Sequence, residues 1–273
     1  MEDFSDISLR LEVYGTRGSN SIFSDEFTKY GGSTSCYLIE TNDGNRKEAI
    51  ILDAGTGLYK INDIDYDEIT ILLSHSHLDH ILGLPVFPYL SKENKKVNIY
   101  LAKRNGVSAK EQIDGLISEP YWPCRISDYK AKVGIFDMPE SFDIGGVHVD
   151  TMESNHPGGS SIIRLGFRGS NFVYATDYEH GDVSKEKELA AFAKGADLLF
   201  YDAQYFEDEY LKYKGYGHST PEEGIRLKEE SGAKELVFIH HSPAHNDLCL
   251  YEAERKYIQK GAHFAREGEV LYL

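Results

Sequence analysis

The sequence predicts large β-sheets with helices packed outside them, and three observations lead there. Eleven short runs rich in β-branched and aromatic residues end at polar or glycine punctuation. Four further stretches read as helices. The length, 273 residues, fits one large α/β domain or at most two small ones. No linker, low-complexity tract or solenoid repeat divides the chain, so residues 1–273 are expected to form a single hydrolase-sized domain.

The expected strands are Ser8–Tyr14, Ser35–Glu40, Ala49–Leu52, Ile69–Ser74, Val97–Leu101 and Val147–Met152. Ser161–Phe167, Phe172–Thr176, Asp197–Tyr201, Glu235–Ile239 and Glu269–Tyr272 follow. The expected helices are Ser108–Ile117, Ser184–Lys194, Pro221–Ser231 and Leu248–Gly261. Thr220-Pro221-Glu222-Glu223 is an N-cap followed by proline at the first helical position and acids in the first turn. Ser184 precedes a charged run in a similar way. Glu119-Pro120-Tyr121-Trp122-Pro123 reads as a loop, because prolines flank the aromatics.

Apolar residues make up 41% of the chain, enough for a real core, and the formal net charge is −16. A chain this acidic is poorly suited to polyanionic backbones or acidic membranes, so no long nucleic acid and no membrane are expected as partners. Cys36, Cys124 and Cys249 lie far apart, without the spacing of a thiolate metal site or a disulfide framework. The opening MEDFSDISLRLEVYG has neither a basic start nor an apolar stretch of signal type. The expected compartment is the cytoplasm.

The chemistry concentrates where an apolar strand, Ile69–Leu73, runs into Ser74-His75-Ser76-His77-Leu78-Asp79-His80. Imidazole and carboxylate are the donors of zinc and other first-row metals. Residues two apart on extended chain point the same way, so His75 and His77 can grip one ion. After the turn, Asp79 and His80 can face a second. Three more strand-like runs deliver a ligand-type residue at or just past their ends: His156, Asp177 and His240. Each alone has a plain structural reading; together they supply the number that two ions need.

These residues, in this order, resemble the metallo-β-lactamase superfamily, and Leu52-Asp53-Ala54-Gly55-Thr56-Gly57 is similar to its early Asp/Gly motif. The resemblance covers nearly the whole chain and implies an α+β fold, an αββα sandwich with two β-sheets inside and helices outside. Carried over by position, His75, His77 and His156 would hold one divalent metal ion, and Asp79, His80 and His240 the other. Asp177 would bridge them, and Asp53 would orient ligands without binding metal. His241 is the rival of His240. The pair of ions is expected to be zinc, with manganese, iron or nickel as alternatives.

Within the superfamily, zinc β-lactamases usually carry cysteine at the position of Asp177, and glyoxalase II adds a C-terminal domain. Gly217-His218-Ser219-Thr220, with Asp202 in Phe200-Tyr201-Asp202-Ala203-Gln204, resembles instead the phosphodiesterase branch of ribonuclease Z-like enzymes. That resemblance implies an acid–histidine pair that passes a proton to the leaving group. Tyr14–Ser19 and Tyr30–Cys36 resemble small metallohydrolases that include cyclic-nucleotide phosphodiesterases. The expected activity is therefore metal-assisted hydrolysis of a small phosphodiester, a cyclic nucleotide foremost. Asp79, His218 and Asp202 are the expected catalytic residues, with Asp79 also accepting a proton from the nucleophile. Arg17, Tyr121 and Trp122 are expected at the substrate mouth, the aromatic pair stacking on a base or, equally, forming core or a homodimer contact. The alternatives are an RNA 3′-processing nuclease, a carboxylic ester, thioester or lactone hydrolase, and a metal-occupied protein that sequesters a nucleotide.

Overall fold

The computed structural model describes residues 9–44, 46–62 and 64–273; Ser8, the first residue of the first expected strand, lies outside them. The first sheet contains β1 (Leu9–Gly15), β2 (Cys36–Asn42), β3 (Lys47–Leu52), β4 (Glu68–Leu73), β5 (Lys96–Leu101) and β6 (Lys132–Asp137), with β14 (Val270–Tyr272) at its edge. The second contains β7 (Ser141–Ile144), β8 (Val147–Glu153), β9 (Ser161–Phe167), β10 (Ser170–Ala175), β11 (Leu198–Asp202), β12 (Glu235–Ile239) and β13 (Ala262–Phe264). The helices are α1 (Leu78–Ile81), α2 (Ala109–Leu116), α3 (Val183–Phe192), α4 (Glu207–Tyr213), α5 (Pro221–Ser231) and α6 (Asp247–Glu254).

The spatial orders are β14-β1-β2-β3-β4-β5-β6 and β13-β12-β11-β10-β9-β8-β7. Strands β3 to β6 are parallel, as are β10 to β13, while the remaining pairs are antiparallel. Antiparallel pairing reverses direction twice between β8 and β10, so β8, β10, β11 and β12 all end on one edge of their sheet. Loops following strand ends at such an edge are where open sheets build sites.

Burial explains the layers. Leu9, Leu11 and Val13 alternate inward from β1 and meet Val147, Val149, Ile163, Leu165, Phe172 and Phe200 of the second sheet. On the outer face of the first sheet, Ile51, Ile71 and Ile99 pack with Ile81 of α1 and Ile113 of α2. On the outer face of the second, Val173, Leu199 and Phe238 pack with Leu189 of α3, Ile225 of α5 and Leu250 of α6. The result is the expected αββα sandwich. β4 is buried from Ile69 to Leu73 because both of its faces are covered, which is why it reads as one apolar run.

Three strands and two helices escape the sequence reading. β6 is half-exposed and interrupted by Gly134, β7 is four residues long, and β13 is three. Asp182, not Ser184, caps α3, its side chain accepting from Ser184 N and Lys185 N. The last expected helix stops at Glu254 and resumes only as a 3-10 turn over Ile258–Lys260. Thr220 caps α5 as expected, with Pro221 at the first turn and Gly232 closing it in the left-handed region, φ +70°.

Candidate metal centre

Each site residue follows a strand end. Asp53 succeeds β3, His75 and His77 follow β4, Asp79 and His80 lie in α1, Asp177 follows β10, Asp202 closes β11 and His240 succeeds β12. Asp53, Asp177 and His240 have φ of +56°, +51° and +62°. Asp and His tolerate this left-handed region better than most residues, and such backbone persists where surrounding structure holds it.

The donors converge in three overlapping groups: His75, His77, His156 and Asp177; Asp79, His80 and His240; and Asp177, Asp202, His218 and His240. In the first, His77 Nδ1 faces His156 Nε2 at 3.2 Å, and Asp177 Oδ1 lies 3.7 Å from His75 Nε2 and 3.6 Å from His156 Nε2. In the second, Asp79 Oδ2, His80 Nε2 and His240 Nε2 form a triangle with every side 3.2 Å. Asp177 Oδ2 lies 3.2 Å from His80 Nε2 and 3.4 Å from His240 Nε2. Tetrahedral donors at zinc bond lengths of about 2.0–2.1 Å stand about 3.3 Å apart, so these spacings fit a metal's coordination shell. His75 Nε2 is buried without a hydrogen-bond partner, as an imidazole lone pair kept for a metal would be. The clusters thus suit a dinuclear metal site.

Two of the remaining ring nitrogens are tied down, while His240 Nδ1 is buried without a hydrogen-bond partner. His80 Nδ1 donates to Asp53 Oδ2 (2.7 Å) and His156 Nδ1 donates to Gly217 O (2.9 Å), which leaves each Nε2 free to bind. Asp53 is fully buried and also accepts from Ser74 N (2.7 Å), Ser74 Oγ (2.8 Å) and Tyr174 OH (2.7 Å). Ser19 N donates to Asp79 Oδ2 at 2.7 Å. Gly18 and Gly217 make close approach possible, since a Cβ at Gly18 would collide with the His240 ring and one at Gly217 with the His156 ring.

Electrostatics divide the two groups. Burial lowers the pKa of His75, His77 and His156, so they stand neutral and ready to ligate. Burial would lower His80 and His240 too, but carboxylates outweigh it: Asp177, Asp79 and Asp53 raise His80, and Asp177, Asp202 and Asp79 raise His240 to about 9. Burial would likewise raise Asp79 and Asp177, yet the surrounding histidines hold both below the usual carboxylate range.

His218 and Asp202 stand beside the centre. His218 Nδ1 donates to Asp202 Oδ2 at 2.7 Å, and its ring stacks 4.8 Å from His240 and lies 5.3 Å from His156. Asp202 Oδ2 also accepts from Asp177 N at 3.0 Å. One carboxylate therefore holds both the His218 ring and the Asp177 main chain.

One expectation at the mouth needs correction, and for Trp122 core packing, the stated alternative, is the one the structure supports. Arg17 is 0% exposed: Nε donates to Gly31 O (2.7 Å), and one terminal nitrogen donates to Ser242 O (3.1 Å) and His245 O (2.7 Å). It braces the loops behind His240 and is closed off from any substrate. Trp122 packs half-buried against the outer core of the first sheet, where its indole N–H donates to Tyr129 OH at 2.9 Å. Tyr121 is 77% exposed and open to a ligand. The rival His241 turns away from the donors, its Nε2 donating to Ala265 O at 2.9 Å. Sequence reasoning gave no role to Tyr174, and took Ser19 only as part of the Tyr14–Ser19 motif.

A β-sheet sandwich with paired His/Asp clusters at its strand ends is the architecture of a metal-dependent hydrolase. The chain belongs to the beta-lactamase superfamily, whose domain model matches residues 50–241. It is 24% identical over 254 residues to ribonuclease Z of Ignicoccus hospitalis, covering 75% of this chain and 83% of that one. It is 26% identical over 267 residues to ribonuclease Z of Nanoarchaeum equitans, covering 79% and 80%. Among solved structures it resembles the metallo-beta-lactamase fold protein YhfI from Bacillus subtilis, with TM-score 0.74, 21% identity and coverage of 98% and 100%. The human short-form tRNase Z superposes with TM-score 0.65 at 19% identity over 96% and 98%. No helix among the described residues is long and apolar enough to cross a membrane.

Proposed function

We propose that the chain is a phosphodiesterase that hydrolyses a small phosphodiester, a cyclic mononucleotide foremost, with two divalent ions and His218 as proton donor. The observation that carries this reading is the buried His218–Asp202 pair, 2.7 Å apart, standing directly against the paired donor clusters. Hydrolysis of a phosphodiester expels an alkoxide, a poor leaving group unless it is protonated. Asp202 accepts a hydrogen bond from His218 Nδ1–H, so Nε2 is the nitrogen that would deliver a proton.

His75, His77 and His156 would hold one ion, Asp79, His80 and His240 the other, and Asp177 both, one oxygen to each group. Zinc suits this donor set, and manganese, iron or nickel would also be accepted. Bound ions of this kind supply an activated water and neutralise phosphate charge. Asp79, whose Oδ2 accepts a hydrogen bond from Ser19 N–H, would in this reading receive the proton of the nucleophile. Asp53 fixes the tautomer of His80. The catalytic unit in this reading is the whole of residues 1–273, working in the cytoplasm with all three cysteines free.

RNA 3′ processing is the second reading, favoured by the ribonuclease Z relatives. They run against the expectation that long nucleic acid is excluded, so that exclusion is dropped. The deciding assay gives the metal-loaded protein bis-p-nitrophenyl phosphate, cyclic mononucleotides, a tRNA precursor with a 3′ trailer, a thioester and a lactone. Hydrolysis of cyclic mononucleotides supports the first reading. Trailer removal without it supports the second, and turnover confined to thioester or lactone overturns both.

A further inference from the structure

Next to His218 the chain carries a Tyr/Lys-rich segment, Tyr210-Leu211-Lys212-Tyr213-Lys214-Gly215-Tyr216, that the chemistry above leaves unused. We propose that this segment is the nucleobase subsite, with Tyr216 stacking on the base of a nucleotide whose phosphate lies at the metal centre. The proposal rests on the phosphodiesterase reading and gives it a substrate class, nucleoside phosphates rather than phosphodiesters at large.

A continuous series of rings leads outward from the proton donor. Tyr205 lies edge-on to His218 with centroids 5.8 Å apart. Tyr213 stacks on Tyr205 at 4.4 Å and 9°. Tyr216 meets Tyr213 at 5.9 Å, and it is 63% exposed while Tyr205 is buried. The series therefore ends in an exposed ring that meets its inner neighbour edge to face. One residue, Gly217, separates Tyr216 from His218, so their Cα atoms lie within about 7 Å. Lys212 and Lys214 are exposed on the same segment and place two cations directly after the acids Glu207, Asp208 and Glu209. Aromatic faces beside basic side chains are the usual means of holding unpaired bases.

The segment is held in place. Glu179, buried, accepts from Gly215 N (2.6 Å), Gly217 N (2.8 Å) and Tyr210 OH (3.0 Å). Tyr216 is thus bracketed by two main-chain bonds to one carboxylate. The same turn presents Gly217 O to His156 Nδ1 and carries His218 itself. A stacking residue fixed this way loses little freedom on binding.

The test compares kcat/KM for a nucleoside 3′,5′-cyclic phosphate with that for the matching abasic ribose cyclic phosphate. Wild type should favour the nucleoside. In Tyr216→Ala the preference should fall about tenfold, and Tyr216→Phe should restore it. Calorimetric binding of adenosine 5′-monophosphate against ribose 5-phosphate reads the same preference without turnover. An unchanged preference in Tyr216→Ala, by either measure, overturns the subsite even if phosphodiesters are hydrolysed. If no phosphodiester is turned over, the phosphodiesterase reading fails by itself, and the binding comparison still decides whether Tyr216 holds a base.

Discussion

Asp53→Asn separates metal orientation from folding, because Asn tolerates the left-handed backbone that Asp53 adopts at φ +56°. The carboxylate accepts four bonds: Ser74 N on Oδ1, and Ser74 Oγ, His80 Nδ1 and Tyr174 OH on Oδ2. An amide has one oxygen. If that oxygen serves the three Oδ2 partners, the new NH2 faces Ser74 N–H, and two donors meet in a fully buried position. One buried donor left unpaired costs about 1–3 kcal/mol, the expected loss of stability in the metal-free protein. His80 also loses the anion that fixes its tautomer, and loss of such a partner typically weakens metal binding about 10–100-fold. At 1.4 kcal/mol per tenfold, that is about 1.4–2.8 kcal/mol of binding free energy. Chelator competition reads the affinity of each ion, and urea denaturation of the chelated protein reads the folding term. The weakening should fall on the ion held by His80 and His240 and spare the other. Equal affinity in mutant and wild type, alongside a drop in stability, would refute the orienting role and leave Asp53 a folding residue only.

Arg17→Lys should lower unfolding stability by about 2–4 kcal/mol, because an ammonium cannot reach the three carbonyls that the guanidinium fork serves. A mutant with wild-type stability and a raised KM would contradict the burial described above. The metal-free protein should lose stability as pH rises from 6.5 through 9. His240 carries a pKa raised to about 9 in the fold, so its contribution is complete below the unfolded value of 6.5 and disappears as that proton leaves. A thermal midpoint of the chelated protein that stays flat or rises between pH 6.5 and 9 would contradict this. Gly217→Ala should reduce metal content as well as turnover, since its Cβ meets His156 and φ is +92°. Metal analysis finding a full complement would show that the turn yields without cost.

What was legible in the sequence was whatever depends on local order. His75, His77, Asp79 and His80 sit within six residues behind an apolar strand, and His156, Asp177 and His240 each follow a strand that reads clearly. Long-range closure was not legible. Arg17 looks like a free cation in one dimension, and only the fold brings Gly31, Ser242 and His245 carbonyls around it. Trp122 looks like a loop aromatic until Tyr129 is placed beneath it. β13 is too short to show a period, and it was hidden behind the expected extension of the last helix. That helix ends where Glu254 becomes buried and accepts from Phe264 N of β13. Glu179 gives no local sign of its role, because the groups it serves lie more than thirty residues away.

The most direct test of the central claim compares His218→Ala with Asp177→Ala on two substrates, a cyclic mononucleotide and bis-p-nitrophenyl phosphate. His218→Ala should keep both ions, because the groups His75, His77, His156, Asp177 and Asp79, His80, His240 are complete without it, although His218 shares a third group with Asp177, Asp202 and His240. Its turnover of the cyclic nucleotide should fall about 10²–10⁴-fold, the range for a lost proton donor. The loss should be far smaller for the nitrophenyl ester, whose leaving group departs as a stable anion. Asp177→Ala should impair both substrates alike and lose metal. Equal losses on the two substrates for His218→Ala, or loss of an ion with it, would contradict the account and return His218 to the metal shell or to the turn that precedes α5.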